Sequence, residues 1–477
     1  MNDSQNNPNA GKKLVVLGSG PGGYPAAFLA ADYGFDVTLI DKQAKPGGVC
    51  LYRGCIPSKT LLNAAKVLHE ARDAAAWGID FAEPKIDVKA LAKYSQKVIG
   101  KLTGGLGALA KQRNVRLVQG TGKLADNKTI QVTAKDGKTE SIDFDYAILA
   151  TGSLPARIPG LPYDSPRVMN SADALKLEDV PKTLLVIGGG YIGLEMATVY
   201  AALGTKVTVV EALGALLPAA DPDLVEQLEK RLRKHTLDEI LVNTKVTEMQ
   251  ALKTKVKATL LGNDGEVQRD FEKVLVSVGR KPNAAEIGLE NTKIKTDEKG
   301  FVVIDEQRRT AEKHIYAIGD VAGEPMLAHK ATYEARVAVE AIAGEPSAFD
   351  PLAIPAVVFT DPEVAWCGLT ETMAREQGVD HQILRFPWAA SGRATTMGRN
   401  DGLTKIVVDP HTNRVLGVGI VGVHAGELIA EGVLAVETGA LARDIQLSIH
   451  AHPTLSETFM EAADLLHGGS PHYMPRQ

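Results

Sequence analysis

The chain has 477 residues, 44% apolar and 23% charged, ordinary values for a globular protein with room for about three domains. Its 53 Lys+Arg against 58 Asp+Glu leave a net charge of −5 with no basic segment, which argues against nucleic-acid or acidic-membrane partners. Three cysteines are too few for a disulfide-stapled scaffold, and no uninterrupted apolar run of about 18 residues offers a membrane span.

The polar start, MNDSQNNPNAGKK, lacks the apolar stretch of a signal peptide and reads as a short frayed tail. The expected location is therefore cytoplasmic. From 13 to 41 the chain reads KLVVLGSGPGGYPAAFLAADYGFDVTLID: a buried strand, a Gly-x-Gly-x-x-Gly turn, a helix, and a β-branched strand ending in an acid. Pro25 falls near the first turn of that helix, where a missing N–H costs little.

Cys50 and Cys55 follow in GGVCLYRGCIPSK. Two cysteines without a nearby histidine are a poor zinc set, and a permanent disulfide does not suit a cytoplasmic protein. That leaves a pair cycling between disulfide and dithiol beside an electron source, or two inert thiols. A helix is expected to begin near Ile56-Pro57-Ser58, and a helix N-terminus favours a thiolate close by. Lys59 lies on it, either near the redox centre or simply solvated.

At an offset of 170 residues the first motif returns as TLLVIGGGYIGLEMATVYAALGTKVTVVE, 183 to 211. Gly18, Gly20 and Gly23 match Gly188, Gly190 and Gly193, and Asp41 matches Glu211. The first glycine permits the turn, the second lets a pyrophosphate approach, and the third lets the helix pack on its strand. The phosphates then meet the helix N-terminus, and the acid takes a ribose hydroxyl. Two dinucleotide sites are implied. No Arg or Lys follows Glu211 closely, so the second should prefer NAD to NADP. Residues 235–240 look irregular and leave the strand register there open.

Cys367, isolated in EVAWCGLTE, reads as a core residue. Near the end stands IHAHPTLSETFMEAADLL. His452, with Glu457 five residues on, suits a proton acceptor for thiol chemistry, or is a structural histidine, as His450 is expected to be.

The double fingerprint, GGVCLYRGCIPSK, ATGS at 150–153, SVGRKPN at 277–283, AIGDV at 317–321 and HAHPTLSE at 450–457 together resemble the dihydrolipoamide dehydrogenases, within the pyridine nucleotide–disulfide oxidoreductases. The likeness runs from about Lys13 to beyond Glu461. It implies an α/β fold: two Rossmann-like dinucleotide-binding domains plus a C-terminal α+β interface (dimerisation) domain. The implied boundaries are 1–155 for FAD, 156–276 for NAD, 277–349 for a central domain completing the FAD site, and 350–477 for the interface.

The resemblance makes Cys50 the interchange thiol and Cys55 the thiolate facing the flavin. It makes His452, oriented by Glu457, the base for the other subunit's disulfide. For FAD it implies Gly18, Gly20, Gly23, Asp41, Lys59, Gly122, Thr151, Gly152, Asp320 and the segment Met326, Leu327, Ala328 and His329. For NAD it implies Gly188, Gly190, Ile192, Gly193, Glu211, Val246 and Gly279, with Glu195 as the partner of Lys59; no metal is implied. Dihydrolipoamide would reduce the cysteine pair, and electrons would pass through FAD to NAD. A homodimer is implied, serving a lipoyl-carrying acyltransferase or carrier protein of a 2-oxoacid dehydrogenase complex.

Between the cysteines the family commonly has Asn-Val, whereas here stand Tyr52 and Arg53. Arg53 either acts on a thiol or on carrier docking, or points to solvent. Glutathione reductase is the nearest rival, but its motif usually continues Val-Pro-Lys-Lys, and Glu211 disfavours NADP. Mercuric reductase usually adds a C-terminal cysteine pair, absent here. A non-catalytic flavoprotein subunit is disfavoured by the joint presence of Cys50, Cys55, His452 and Glu457.

Overall fold

A computed structural model describes residues 8–475. The chain forms two compact units. The first combines the stretch up to Thr60 with Lys89–Ala156 and Gly279–Asp350; the second combines Leu61–Val88, Arg157–Val278 and Pro351–Gln477.

The first unit is built on a five-stranded parallel sheet, ordered Ile315–Ala317, Tyr146–Leu149, Lys13–Leu17, Asp36–Asp41 and Arg116–Gln119. Its central strands carry near-continuous apolar runs, residues 14–17 and 147–149, as a sheet covered on both faces requires. Leu14, Val16, Leu39 and Ile148 pack on one side with the helices Gly23–Asp32 and Ala328–Ala343, and Val15, Leu17 and Ile40 pack on the other. The frayed tail expected over 1–13 lies outside the described residues as far as residue 7. From residue 8 the expectation fails: Asn9 is buried with its amide on the Tyr33 carbonyl, and its own carbonyl accepts the Lys12 amide. These polar bonds tie the segment down before the strand begins at Lys13.

The second unit repeats the plan in the order Glu239–Leu241, Lys206–Val210, Thr183–Ile187, Lys273–Val276 and Val168–Met169. The repeat extends well past the 29 residues visible in sequence. Each half returns to its last inner strand through a three-stranded antiparallel sheet, residues 121–143 in one and 245–271 in the other. The fixed offset is lost because the first half inserts the helices Cys55–Asp73 and Val88–Gln112. The irregular stretch at 235–240 is a π-helical turn, Leu232–Thr236, leading into Glu239–Leu241, whose parallel pairing with Thr208–Val210 fixes the register.

The same unit carries a five-stranded antiparallel sheet, Ala356–Val358, Glu363–Gly368, Val415–Gly422, Leu403–Val408 and Gln382–Pro387, with the helices Ala425–Glu437 and Glu457–Asp464 packed on it. Trp388 is fully buried, and its ring fills the space that side chains on Gly402 and Gly422 would need. Its Nε1 donates to Thr404, whose hydroxyl donates to Thr458 on the helix Glu457–Asp464. That chain pins the helix to the sheet. Cys367 is buried as expected, and burial pushes its thiol up to about 12. Among the described residues no helix is long and apolar enough to cross a membrane.

Within this unit Asp221, Asp223 and Glu371 lie close enough to share a cation. The cation they hold is the buried Lys405, at 2.9, 2.7 and 2.8 Å. Replacing Lys405 by Met leaves the buried Asp221 short of its counter-charge and weakens the pairing of Asp223 and Glu371. It should cost about 3–5 kcal/mol, as breaking a buried ion pair does, and lower the thermal unfolding midpoint. An unchanged midpoint would refute this.

Candidate active site

The two glycine turns show the division of labour expected of them. Gly18 and Gly188 have φ of +102° and +108°, and a Cβ on either would strike a backbone carbonyl, of Ala150 or Ser277. A Cβ on Gly23 or Gly193 would strike the carbonyl of Gly18 or Gly188. Gly190 has nothing within 4 Å of such a Cβ, and Gly20 only the Gly48 Cα at 3.9 Å. The open position is where a phosphate can come up to the backbone. Beside it the Ser19 hydroxyl is buried without a hydrogen-bond partner among the described residues, so the first turn fits an oxygen-rich ligand group.

The two acids brace these turns. Asp41 accepts from the amides of Ser19 and Gln43, both at 2.8 Å, and Glu211 accepts from Gly189 at 2.7 Å and Leu213 at 2.8 Å. Gly193→Ala should therefore disrupt the turn, lowering thermal stability and abolishing NAD binding. Gly190→Ala should leave the unfolding midpoint unchanged while raising the KM for NAD by roughly tenfold, the loss of a close backbone–phosphate contact. Equal effects on both quantities in the two variants would contradict that division.

Cys50 sits in the short helix Gly48–Arg53, and Cys55 opens the helix Cys55–Asp73, one residue earlier than expected. Five residues apart, the two would not share a face of one continuous helix. The break at Gly54 brings them together: a Cβ there would lie 3.1 Å from the Val49 carbonyl and 3.2 Å from the Cys50 Cα. The two cysteine side chains lie in hydrogen-bond contact, side by side as a pair that can close a disulfide requires. That hydrogen bond, then burial, then the charge of Cys55 hold the Cys50 thiol far above the usual range, against a smaller opposing pull from Lys59. Cys55 is exposed at a helix N-terminus, where negative charge is favoured, whereas Cys50 is half-buried. Arg53 is exposed in the last turn of its helix, and Tyr52 donates its hydroxyl to the Lys45 carbonyl at 3.1 Å.

Other expected flavin residues gather in the same unit. Gly122 packs under the end of the Lys13–Leu17 strand, where a Cβ would meet Leu17 at 2.6 Å. Thr151 donates to the Asn283 carbonyl at 2.7 Å, and Asn283 returns its amide to the Gly152 carbonyl at 2.9 Å. Asp320 accepts from the Ser153 hydroxyl, which also receives Arg280 Nε at 2.6 Å. Ser153 and Arg280 were not singled out from the sequence, although both lie in the quoted motifs ATGS and SVGRKPN. Met326 and Leu327 lead into the helix Ala328–Ala343, which contains Ala328 and His329.

In the second unit Ile192, Gly193 and Glu195 fall in the helix Tyr191–Ala202. Glu195 is buried and accepts from the Phe359 amide at 3.1 Å. Val246 lies in the strand Lys245–Ala251, packed on the core around Leu185 and Ile187. Gly279 opens the last stretch of the first unit with φ +101°.

His452 is 71% exposed, and its Nδ1 is hydrogen-bonded to Glu457 at 2.8 Å. Glu457 also accepts the Thr454 amide at 2.7 Å. Burial raises this carboxyl, but the Thr454 amide and the imidazole outweigh it and hold it below the usual range. An ionised Glu457 fixes the proton on Nδ1 and leaves Nε2 to accept another. His450, by contrast, is 7% exposed and bonded on both nitrogens, to Glu431 and the Ser448 carbonyl, as a structural histidine should be.

Paired nucleotide folds, a thiol pair and a carboxylate-bound histidine define a nucleotide-dependent disulfide oxidoreductase, and the chain belongs to the pyridine nucleotide-disulphide oxidoreductase family. The family's main model matches residues 12–335, and its dimerisation-domain model matches 354–463. A dihydrolipoyl dehydrogenase of Vibrio cholerae is 47% identical over 96% of both chains. Among solved structures, LpdA from Mycobacterium tuberculosis superposes with a TM-score of 0.88 at 28% identity, covering 95% of this chain and 99% of its own. The HOCl-induced flavoprotein disulfide reductase RclA from Escherichia coli gives 0.85 at 27% identity, over 95% of this chain and all of its own. FAD and NAD are the cofactors.

Proposed function

We propose that this chain oxidises protein-bound dihydrolipoamide to lipoamide with NAD as the final acceptor, the activity named for its near full-length relatives. The observation that carries the reading is the contact between Cys50 and Cys55 at the start of a helix. When bound, FAD relays the electron pair from the reduced cysteines to NAD.

In the oxidised pair, a substrate thiolate attacks the Cys50 sulfur and Cys55 leaves as thiolate. The second substrate thiol then displaces Cys50 and closes the lipoamide ring. His452 of a second copy takes the proton of the attacking thiol through Nε2, with Glu457 supporting the charge, and the proton of the second thiol passes to the displaced Cys50. The glycine turns with Asp41 and Glu211 hold the two dinucleotides, and Lys59, Gly122, Thr151, Gly152, Asp320 and the 326–329 segment complete the flavin site.

A homodimer follows from the dimerisation domain, where Leu434, Leu447 and Ile449 expose 63, 70 and 100% of their surface. We place the enzyme in the cytoplasm, where a cycling pair is not locked as a disulfide, serving the lipoyl carrier of a 2-oxoacid dehydrogenase complex.

The deciding experiment is NAD reduction by dihydrolipoamide with the purified yellow protein, run beside NADP and beside reduced glutathione. Reduction of NAD alone, by dihydrolipoamide alone, is expected. Turnover confined to NADP or glutathione would overturn the reading.

A further inference from the structure

The C-terminal tail returns to the helix that carries Glu457. His472 Nδ1 is hydrogen-bonded to Glu461 Oε1, and the Tyr473 ring meets Phe386 edge-on. A tight turn holds this in place: the Ser470 amide donates to the Tyr473 carbonyl at 2.8 Å. Glu461 lies four residues after Glu457, on the same face of the helix Glu457–Asp464. Its side chain is 5% exposed, and its second oxygen is buried with no hydrogen-bond partner among the described residues. A carboxylate so poorly solvated responds strongly to whether its one imidazole partner is charged.

We infer that His472 is a positioning residue for the His452–Glu457 pair: its imidazolium, held on Glu461, acts on Glu457 one helical turn away and keeps His452 available as a base at mildly acidic pH. This rests on the proposed function above.

The sign follows from the charges. Hydrogen bonding to Glu461 and its charge raise the His472 imidazole above the usual range; burial opposes them, and the charge of Glu457 adds the smallest contribution. Below that raised value His472 is a cation, and it acts through space on Glu457. A cation beside Glu457 weakens the carboxylate's support for a proton on His452, so the proton is released more readily. Above that value the cation and its effect are gone.

Other charges nearby are already committed. Asp464, at the far end of the helix, is raised by burial and by Glu461 and is countered by His467. The strands Gln382–Pro387 and Leu403–Val408 pack on the helix, and their Arg385 and Lys405 are held by Asp223 and Glu371. On the neighbouring helix Ala442–Leu447, Asp444 accepts the Leu441 amide and Arg443 is exposed.

The test uses the FAD-loaded full chain with His472→Gln and His472→Ala. His472 is 59% exposed, so both should fold. The kcat/KM for dihydrolipoamide is measured from roughly pH 5.5 to 9, across the imidazole range. Both variants should fall about two- to threefold below the parent at the acid end, the effect of one partly screened charge, and converge with it at the alkaline end. Coincident profiles, or a drop by the same factor at every pH, would overturn the inference while leaving the proposed function standing. A parent enzyme that fails to oxidise dihydrolipoamide at any pH would overturn the proposed function itself.

Discussion

Cys50→Ser is expected to abolish lipoamide turnover, by roughly a thousandfold or more, while the protein stays yellow with bound FAD. Serine cannot form the disulfide that the substrate thiolate attacks, and removing a group that bonds covalently to the substrate leaves only residual rates. The substitution changes one atom at a partly buried position and touches neither glycine turn, so cofactor binding should survive. The check is a steady-state assay with dihydrolipoamide and NAD, beside the absorbance of protein-bound flavin. Colourless protein, or an unchanged rate, would contradict the role given to Cys50.

His452→Gln is expected to lower kcat/KM for dihydrolipoamide by about 10²–10⁴-fold, the usual share of a positioned acid–base group. Glutamine can still donate to Glu457 but cannot accept and carry a proton at neutral pH. Because Glu457 lies below the usual carboxylate range, it stays ionised through neutral pH and holds the imidazole tautomer there. The stability it lends the loop is present above the ordinary carboxyl range and is lost as pH falls through the lowered value. In the glutamine variant the loss of rate should shrink as pH rises, because the substrate thiol then ionises without help. A loss that stays constant with pH would remove His452 from the proton transfer.

Both nucleotide folds were legible because they rest on local rules: apolar runs for covered strands, glycines where no Cβ fits, and an acid at the end of the second strand. The break that brings Cys50 to Cys55 was less legible, since Gly54 reveals its purpose only once the two helices are placed. The Ser153–Arg280–Asp320 group joins residues more than a hundred positions apart, and nothing in their separate motifs says that they meet. The tail at 8–13 was misjudged because polar composition suggested fraying, whereas hydrogen bonds to the Tyr33 turn order it.

The sequence by itself determined the two dinucleotide turns, the close spacing of Cys50 and Cys55 and the acid that favours NAD, because each depends on residue types at short, fixed spacing; it left His452 between a base and a structural histidine. The tertiary structure alone decided that Cys50 is half-buried beside an exposed Cys55, that Lys405 fills the acidic cluster, and that the tail imidazole of His472 lies on Glu461. Those depend on burial and on charges brought together from distant parts of the chain, and solvation and Coulomb energies are set by distance in space rather than along the sequence.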